Sequence, residues 1–412
     1  MSLPPSQARP EARPHLPVLD GIRGCAILLV MASHLATAVA PANAFDATVL
    51  GALQGGWIGV DLFFVLSGFL ITGILLDSAG GPRYYVTFFA RRALRILPLY
   101  WLFLALMACD AWFLRGAGEW AALMLSMPWH LAYLSNVLVS IGGWGAAAMQ
   151  TGHLWSLAVE EQFYLTWPLL VSAIAARRLR GWMGRLLLYL PMVRGLALVG
   201  GVFAAAVHVL TPLRADSLGA GAMLALLYRD DDRARLLARL RVAGVASVAI
   251  LIALVIGTGG LFYTNGWTQT IGYTALALAF AALIDHALRA PPRSATARTL
   301  GNPLLRSFGR YSYSIYLFHA PILLTLDGTS VRRGGLPTVA GSRLPAFAAF
   351  AAGFALLMWL IGFTTWWTFE ERILRLKRHF SYLPATAATA ASPPAARAAS
   401  PAGATRALHG TS

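Results

Sequence analysis

The chain has 412 residues, of which 58% are hydrophobic and only 12% charged, and its mean hydropathy is +0.62. Soluble domains carry about 25% charged residues, so this composition excludes an ordinary soluble domain and implies repeated membrane-spanning helices. The formal net charge of +16 comes almost wholly from arginines in short connections between apolar runs, which reads as a positive-inside signal and not as a nucleic-acid surface.

In chain order, residues 1–17 are rich in proline and arginine and read as a disordered cytosolic tail. Spanning helices are predicted near 18–40, 56–77, 97–114, 154–175, 186–210, 213–228, 242–257, 267–288, 311–327 and 344–366. Each approaches the ~20 apolar residues a bilayer requires, although 213–228 is short. Residues 119–139 contain Pro128, His130 and several aromatics, and read as an interfacial or re-entrant segment. The expectation is an all-α polytopic bundle of about ten spanning helices, occupying residues 18–370. Residues 371–412 are expected to form a tail, basic at first. From about 381 it is dominated by Ala, Pro, Ser and Thr, which cannot bury enough apolar surface to fold.

Arginine placement sets the expected orientation. Arg83, Arg91, Arg92 and Arg95 occupy one connection, and Arg177, Arg178, Arg180 and Arg185 another. Two more basic connections span 229–241 and 289–310, whereas 41–55, 140–153 and 258–266 contain no Lys or Arg. Ten spans place the basic connections on one side, with both termini cytosolic; Arg332, Arg333 and Arg343 run against the pattern. The stretch ATAVAPANA (36–44) is similar to a signal-peptidase site. Cleavage there would remove the charged helix before it, so a retained helix is expected.

That first helix is unusual. LDGIRGCAILLVMASH (19–34) carries Arg23 and His34 within an otherwise apolar run. Eleven residues at 100° each make about three turns, so both side chains project from nearly one face, roughly 16 Å apart along the axis. Ionisable groups inside a membrane helix are costly and line interior paths. The predicted topology also brings Asp61 and Glu160 to about the depth of His34. Cys25 and Cys109 show no CxxC spacing, so neither a disulfide nor a metal site is expected.

Four stretches in order carry a family resemblance: LDGIRGCAILLVMASH (19–34), GWIGVDLFFVLSGFLITGILL (56–76), FFARRALRILPLYW (88–101) and HLWSLAVEEQFYLTWPLL (153–170). RADSLGAGAMLALL (214–227) and GRYSYSIYLFHAP (309–321) add weaker matches. Over about 18–370 the chain resembles the membrane acyltransferase-3 family, integral-membrane O-acyltransferases that modify bacterial glycans and some antibiotics. No appended hydrolase-like domain of the kind some members carry is expected.

The resemblance implies an acyl-coenzyme A donor and an essential His34. A neutral imidazole can take a proton from an attacking hydroxyl or carry the acyl group itself; both roles stay open. Asp61 or Glu160 would orient His34, although Glu160 reads equally as a structural ion-pair partner. LSG (66–68) reads as a small-residue packing surface. Arg23, Arg91, Arg92 and Arg95 are assigned to the phosphates of acetyl-coenzyme A, since guanidinium groups bind phosphate bidentately. Arg92 serves equally as a topology signal that contacts anionic lipid. Arg214 and Asp216 pair with each other or hold substrate, and His319 is a candidate substrate residue or a structural one. His130, His153 and His208 show no partner pattern and read as interfacial or structural. The expected reaction is transfer of an acyl group, chiefly acetyl, to a hydroxyl of a cell-surface glycan such as lipopolysaccharide O-antigen or exopolysaccharide, at the bacterial cytoplasmic membrane. A macrolide-like acceptor, or export of a lipid-linked glycan without acyl transfer, are the alternatives.

Overall fold

The computed structural model of the chain describes residues 16–326 and 335–382. The tail up to residue 15, the low-complexity tail from 383, and Arg332 and Arg333 lie outside the described residues. The first helices are α1 (Pro17–Thr37), α2 (Ala44–Gln54), α3 (Gly59–Ser78), α4 (Tyr84–Asp110), α5 (Ala117–Leu131), α6 (Ser135–Gly142), α7 (Trp155–Ala173) and α8 (Ala176–Val199). There follow α9 (Ala204–Val209), α10 (Ala215–Leu227), α11 (Arg233–Thr258), α12 (Tyr273–Arg289), α13 (Ala295–Leu300), α14 (Pro303–Arg310), α15 (Ser312–Leu326) and α16 (Leu344–Thr365). A further helical segment of short turns continues from Trp366 to His379.

The expected all-α bundle is observed, and all ten predicted spans are helical. Among the described residues, seven helical stretches are long and apolar enough to cross a membrane. The other three predicted spans are α7, which carries Glu160 and Glu161, and α10 and α15, of 13 and 15 residues. At 1.5 Å per residue α10 reaches only about 20 Å, short of a hydrocarbon core of about 30 Å.

Three boundaries differ from the sequence reading. The arginine-rich stretch taken as a connection before residue 97 is already helix, because α4 starts at Tyr84 and passes through Pro98 without a break. Its 27 residues make it about 40 Å long, so its arginine-bearing turns can extend past the apolar layer. The span predicted at 186–210 stops at Val199, where Gly200 and Gly201, the latter at φ 86°, turn the chain. The segment 119–139 is two helices, α5 and α6, joined at residues 132–134 with Tyr133 at φ 53°.

The most apolar windows of α1, of the α2–α3 stretch and of α12 are 56%, 61% and 56% buried, whereas those of α8 and α11 are 17% buried. α1, α3 and α12 are therefore the interior helices, and α8 and α11 turn most of their apolar surface outward. α3 packs against α1, α7, α10 and α12. Its contact with α10 runs through glycines: a Cβ on Gly68 would overlap the Leu218 carbonyl oxygen, and one on Gly221 would overlap that of Val65. The LSG run thus serves close backbone approach, as small residues do between membrane helices.

A side chain at Gly221 must displace backbone. Gly221→Leu is expected to destabilise the protein by about 1–3 kcal/mol or more, read as a lower thermal midpoint in detergent. Gly353→Leu, where an added Cβ meets nothing within 4 Å, should change stability by less than about 0.5 kcal/mol.

Candidate active site

The site starts from a proline. Pro321 has no backbone N–H, so the Leu317 carbonyl four residues earlier loses its helical partner. His153, from the turn that leads into α7, fills that vacancy with its Nε2, 3.1 Å from the Leu317 oxygen. One and a half turns of α15 thus gather the histidines. His319 directs Nδ1 to the Tyr316 carbonyl at 2.7 Å, and its Nε2 lies 3.3 Å from Nδ1 of His34 on α1. The His34 and His319 ring centroids are 4.9 Å apart, and those of His319 and His153 are 5.4 Å apart.

The hydrogen-bond network assigns the tautomers. A carbonyl oxygen only accepts, so each ring nitrogen facing one must hold a proton. His34 Nδ1 is 3.0 Å from the Val30 carbonyl, so Nδ1–H donates there, with the lone pair of His319 Nε2 as a second acceptor. The His34 Nε2 lone pair is then left without a protein hydrogen bond among the described residues. His34 is half-buried, whereas His319 is fully buried.

A cavity of about 580 Å³ leads toward this cluster, within the usual range for small-molecule sites of roughly 300–1,000 Å³. Along α3 it touches residues from Val60 to Ile74, a rise of about 21 Å. Its lining includes five basic side chains, Arg23, Arg92, Arg95, Arg310 and Lys377. Ser67, Glu160 and Tyr164 form a polar patch on its wall, with Ser67 Oγ 2.6 Å from the Tyr164 hydroxyl and the Arg92 guanidinium 5.9 Å from the Tyr164 ring. Ser156 and Tyr316 also line it. The Tyr316 hydroxyl is 2.5 Å from Ser156 Oγ and donates to the His153 carbonyl at 2.6 Å. Its ring lies 5.5 Å from His319. His34 does not line the cavity; Tyr316, which does, packs against the His319 ring that faces His34.

The structure therefore unites part of the predicted site. Arg23, Arg92, Arg95 and Glu160 share the cavity, and His34 and His319 form a pair beside it. Arg91 faces elsewhere: its Nη1 donates to the Lys377 and Phe380 carbonyls at 3.1 and 2.8 Å. Asp61 does not meet His34. Its Oδ1 is taken by Arg214 at 2.5 Å and Ser217 at 2.6 Å, all fully buried. Arg214 and Asp216 do not form a pair with each other as the sequence reading allowed. Asp216 is held instead by Arg194 at 2.8 Å and Thr274 at 2.7 Å. Three members of the site were missed: His153, Tyr316 and Lys377. A proline four residues after Leu317, with a histidine between them, was the available signal for His153. His208 is structural, buried among Trp57, Trp144, Trp155, Tyr263 and Tyr273 and bonded to the Tyr273 hydroxyl at 2.7 Å. Among the described residues no group of three or more His, Cys, Asp or Glu is placed to hold a metal ion.

These features define a polytopic helical protein with seven helical stretches long and apolar enough to cross a membrane among the described residues, an internal cavity lined by basic residues, and a histidine cluster beside it. Residues 16–381 match the acyltransferase domain, and the chain belongs to the membrane acyltransferase-3 family. It is 29% identical over 340 residues to the peptidoglycan O-acetyltransferase OatA of Listeria monocytogenes, covering 76% of this chain and 50% of that protein. It is 29% identical over 343 residues to the O-acetyltransferase OatA of Staphylococcus aureus, covering 78% and 53% respectively. A putative peptidoglycan O-acetyltransferase, YrhL of Bacillus subtilis, is 30% identical over 348 residues, covering 78% and 50%. The chain thus spans about half the length of these relatives. No solved structure matches it.

Removing one partner of a buried ion pair leaves an uncompensated charge. Asp61→Ala is expected to cost about 3–5 kcal/mol, measured as a fall in thermal midpoint in detergent. The double variant Asp61→Leu with Arg214→Met should recover much of that loss.

Proposed function

We propose that the chain is an integral-membrane O-acetyltransferase. It moves an acetyl group from cytosolic acetyl-coenzyme A to a hydroxyl of a cell-surface glycan. The observation that carries this reading is the cavity itself, lined by five basic side chains and reaching Tyr316 on the turn of α15 that holds His319 against His34. The names of the relatives support acetyl transfer to a glycan, and the positive-inside pattern supports a cytosolic mouth, with both termini on that side of the bacterial cytoplasmic membrane.

In this reading Arg23, Arg92 and Arg95 bind the donor's phosphates, since charge-assisted and bidentate contacts suit those anions. The thioester arm lies along the apolar wall of α3. Tyr316 swings aside to admit the thioester to His34. The acceptor hydroxyl gives its proton to His34 Nε2 as its oxygen attacks the thioester carbonyl. The carbon–sulfur bond breaks, and the departing thiolate takes the proton from the imidazolium. His34 Nδ1–H, bonded to the Val30 carbonyl and facing His319, keeps the ring in the tautomer that leaves Nε2 basic. Glu160, with Ser67 and Tyr164, supplies a polar middle section. Asp61, Arg214 and Asp216 hold α3, α10 and α12 in register and take no part in the transfer.

The test uses purified protein in nanodiscs with radiolabelled acetyl-coenzyme A and separate glycan fractions: peptidoglycan precursor, lipopolysaccharide and exopolysaccharide. Label is expected in one glycan fraction. His34→Ala should lower the rate at least about 100-fold, the contribution typical of a general base. Arg92→Ala should raise the donor KM by about tenfold or more. Label in none of the glycans but in a macrolide-like alcohol would reassign the acceptor. Movement of unmodified glycan across the bilayer without any donor would overturn the enzymatic reading.

A further inference from the structure

The chain after the last span is part of the cavity wall. Trp366, Leu374 and Lys377 line the cavity. Two arginines one turn apart on α4 hold this segment. Arg91 Nη1 donates to the carbonyls of Lys377 and Phe380, and its guanidinium lies 5.2 Å from the Tyr382 ring. Arg95 Nη1 donates to Glu370 Oε2 at 3.2 Å, while Glu370 Oε1 is buried without a hydrogen-bond partner among the described residues. The sequence reading placed residues 371–382 in a basic tail; the structure seats them against the bundle.

The charge arrangement is uneven. Five cations line the cavity, Arg23, Arg92, Arg95, Arg310 and Lys377, against two carboxylates, Asp20 and Glu160. Asp20 is spent on Arg23, at 3.2 Å. Lys377 is set among Arg91, Arg92 and Arg95, which repel it, with Glu370 as the offsetting charge. Like charges held together in a partly enclosed space are unfavourable unless an anion joins them.

We infer that the C-terminal segment is a working part of the donor site: Lys377 is a phosphate ligand, Arg91 is the strut that holds it over the cavity, and Glu370 occupies Arg95 until a phosphate displaces it. The ligand class is a nucleotide bearing a diphosphate. The inference rests on the proposed donor, and it assigns Arg91 a positioning role in place of phosphate contact. The segment then packs most firmly when the nucleotide is bound.

The experiment titrates full-length protein in nanodiscs with coenzyme A and with 3′,5′-ADP, by calorimetry. It also follows trypsin cleavage at Arg375 and Arg378. Lys377→Ala should weaken coenzyme A binding roughly tenfold and raise the donor KM by a similar factor, with kcat lowered much less, and Lys377→Arg should restore binding. Arg91→Ala should weaken binding similarly and speed cleavage at Arg375 and Arg378, and coenzyme A should slow that cleavage in the wild type. Glu370→Gln, which keeps an acceptor but loses the competing charge, should tighten binding. Wild-type affinity in both Lys377→Ala and Arg91→Ala, or cleavage unaffected by coenzyme A, would overturn the inference while leaving the donor intact. Failure of the wild type to bind coenzyme A at all would overturn the donor reading first.

Discussion

The Asp61–Arg214 pair, fully buried between α3 and α10, illustrates the constraint on which the architecture depends. Hydrocarbon offers no hydrogen bonds, so a charge inside the bundle must find its partner within the protein. Arg194 with Asp216 and Thr274 obeys the same demand and ties α8, α10 and α12 together. Such pairs need not add net stability, but they fix which helix faces meet. Beside them the glycines of α3 and α10 bring the two backbones into contact.

Once those charges are paired, the polar groups with unused capacity stand out. Among them is the Nε2 lone pair of His34, which makes no protein hydrogen bond among the described residues. The histidine arrangement depends on one missing N–H: without Pro321, the Leu317 carbonyl would stay in the helix ladder and His153 would lose its acceptor. His153, Trp155 and Ser156 leave one short stretch for three destinations. His153 joins the histidine cluster, Trp155 packs on His208 and Phe64, and Ser156 meets Tyr316. On the proposed reading, stability and chemistry are thus divided between two sets of intramembrane polar groups.

Much of this was legible in the sequence. Apolar runs gave the helical character of all ten predicted spans, seven of which are long and apolar enough to cross a membrane among the described residues, and an eleven-residue interval put Arg23 and His34 on one face. The small-residue run at 66–68 announced a close contact, although not its partner. What escaped was pairing. Asp61, at about the depth of His34, looked like its companion, yet Arg214 is a stronger and nearer claim on a buried carboxylate. Hydrophobic periodicity cannot show which of two cations reaches it. The arginines of α4 read as a loop because charge density is the usual mark of a connection. A helix longer than the bilayer core is the exception. The segment 371–382 looked like a tail because its apolar content is low, while its anchors, Arg91 and Arg95, lie almost three hundred residues earlier.

Tyr316 has a consequence for economy of the donor. Its hydroxyl is tied to Ser156 and the His153 carbonyl, and it lines the cavity one helical turn before His319 on α15. On the proposed reading, a thioester waiting there meets neither base nor outside water. On that reading the tyrosine acts as an airlock that suppresses wasteful hydrolysis until an alcohol is in place to receive the acyl group.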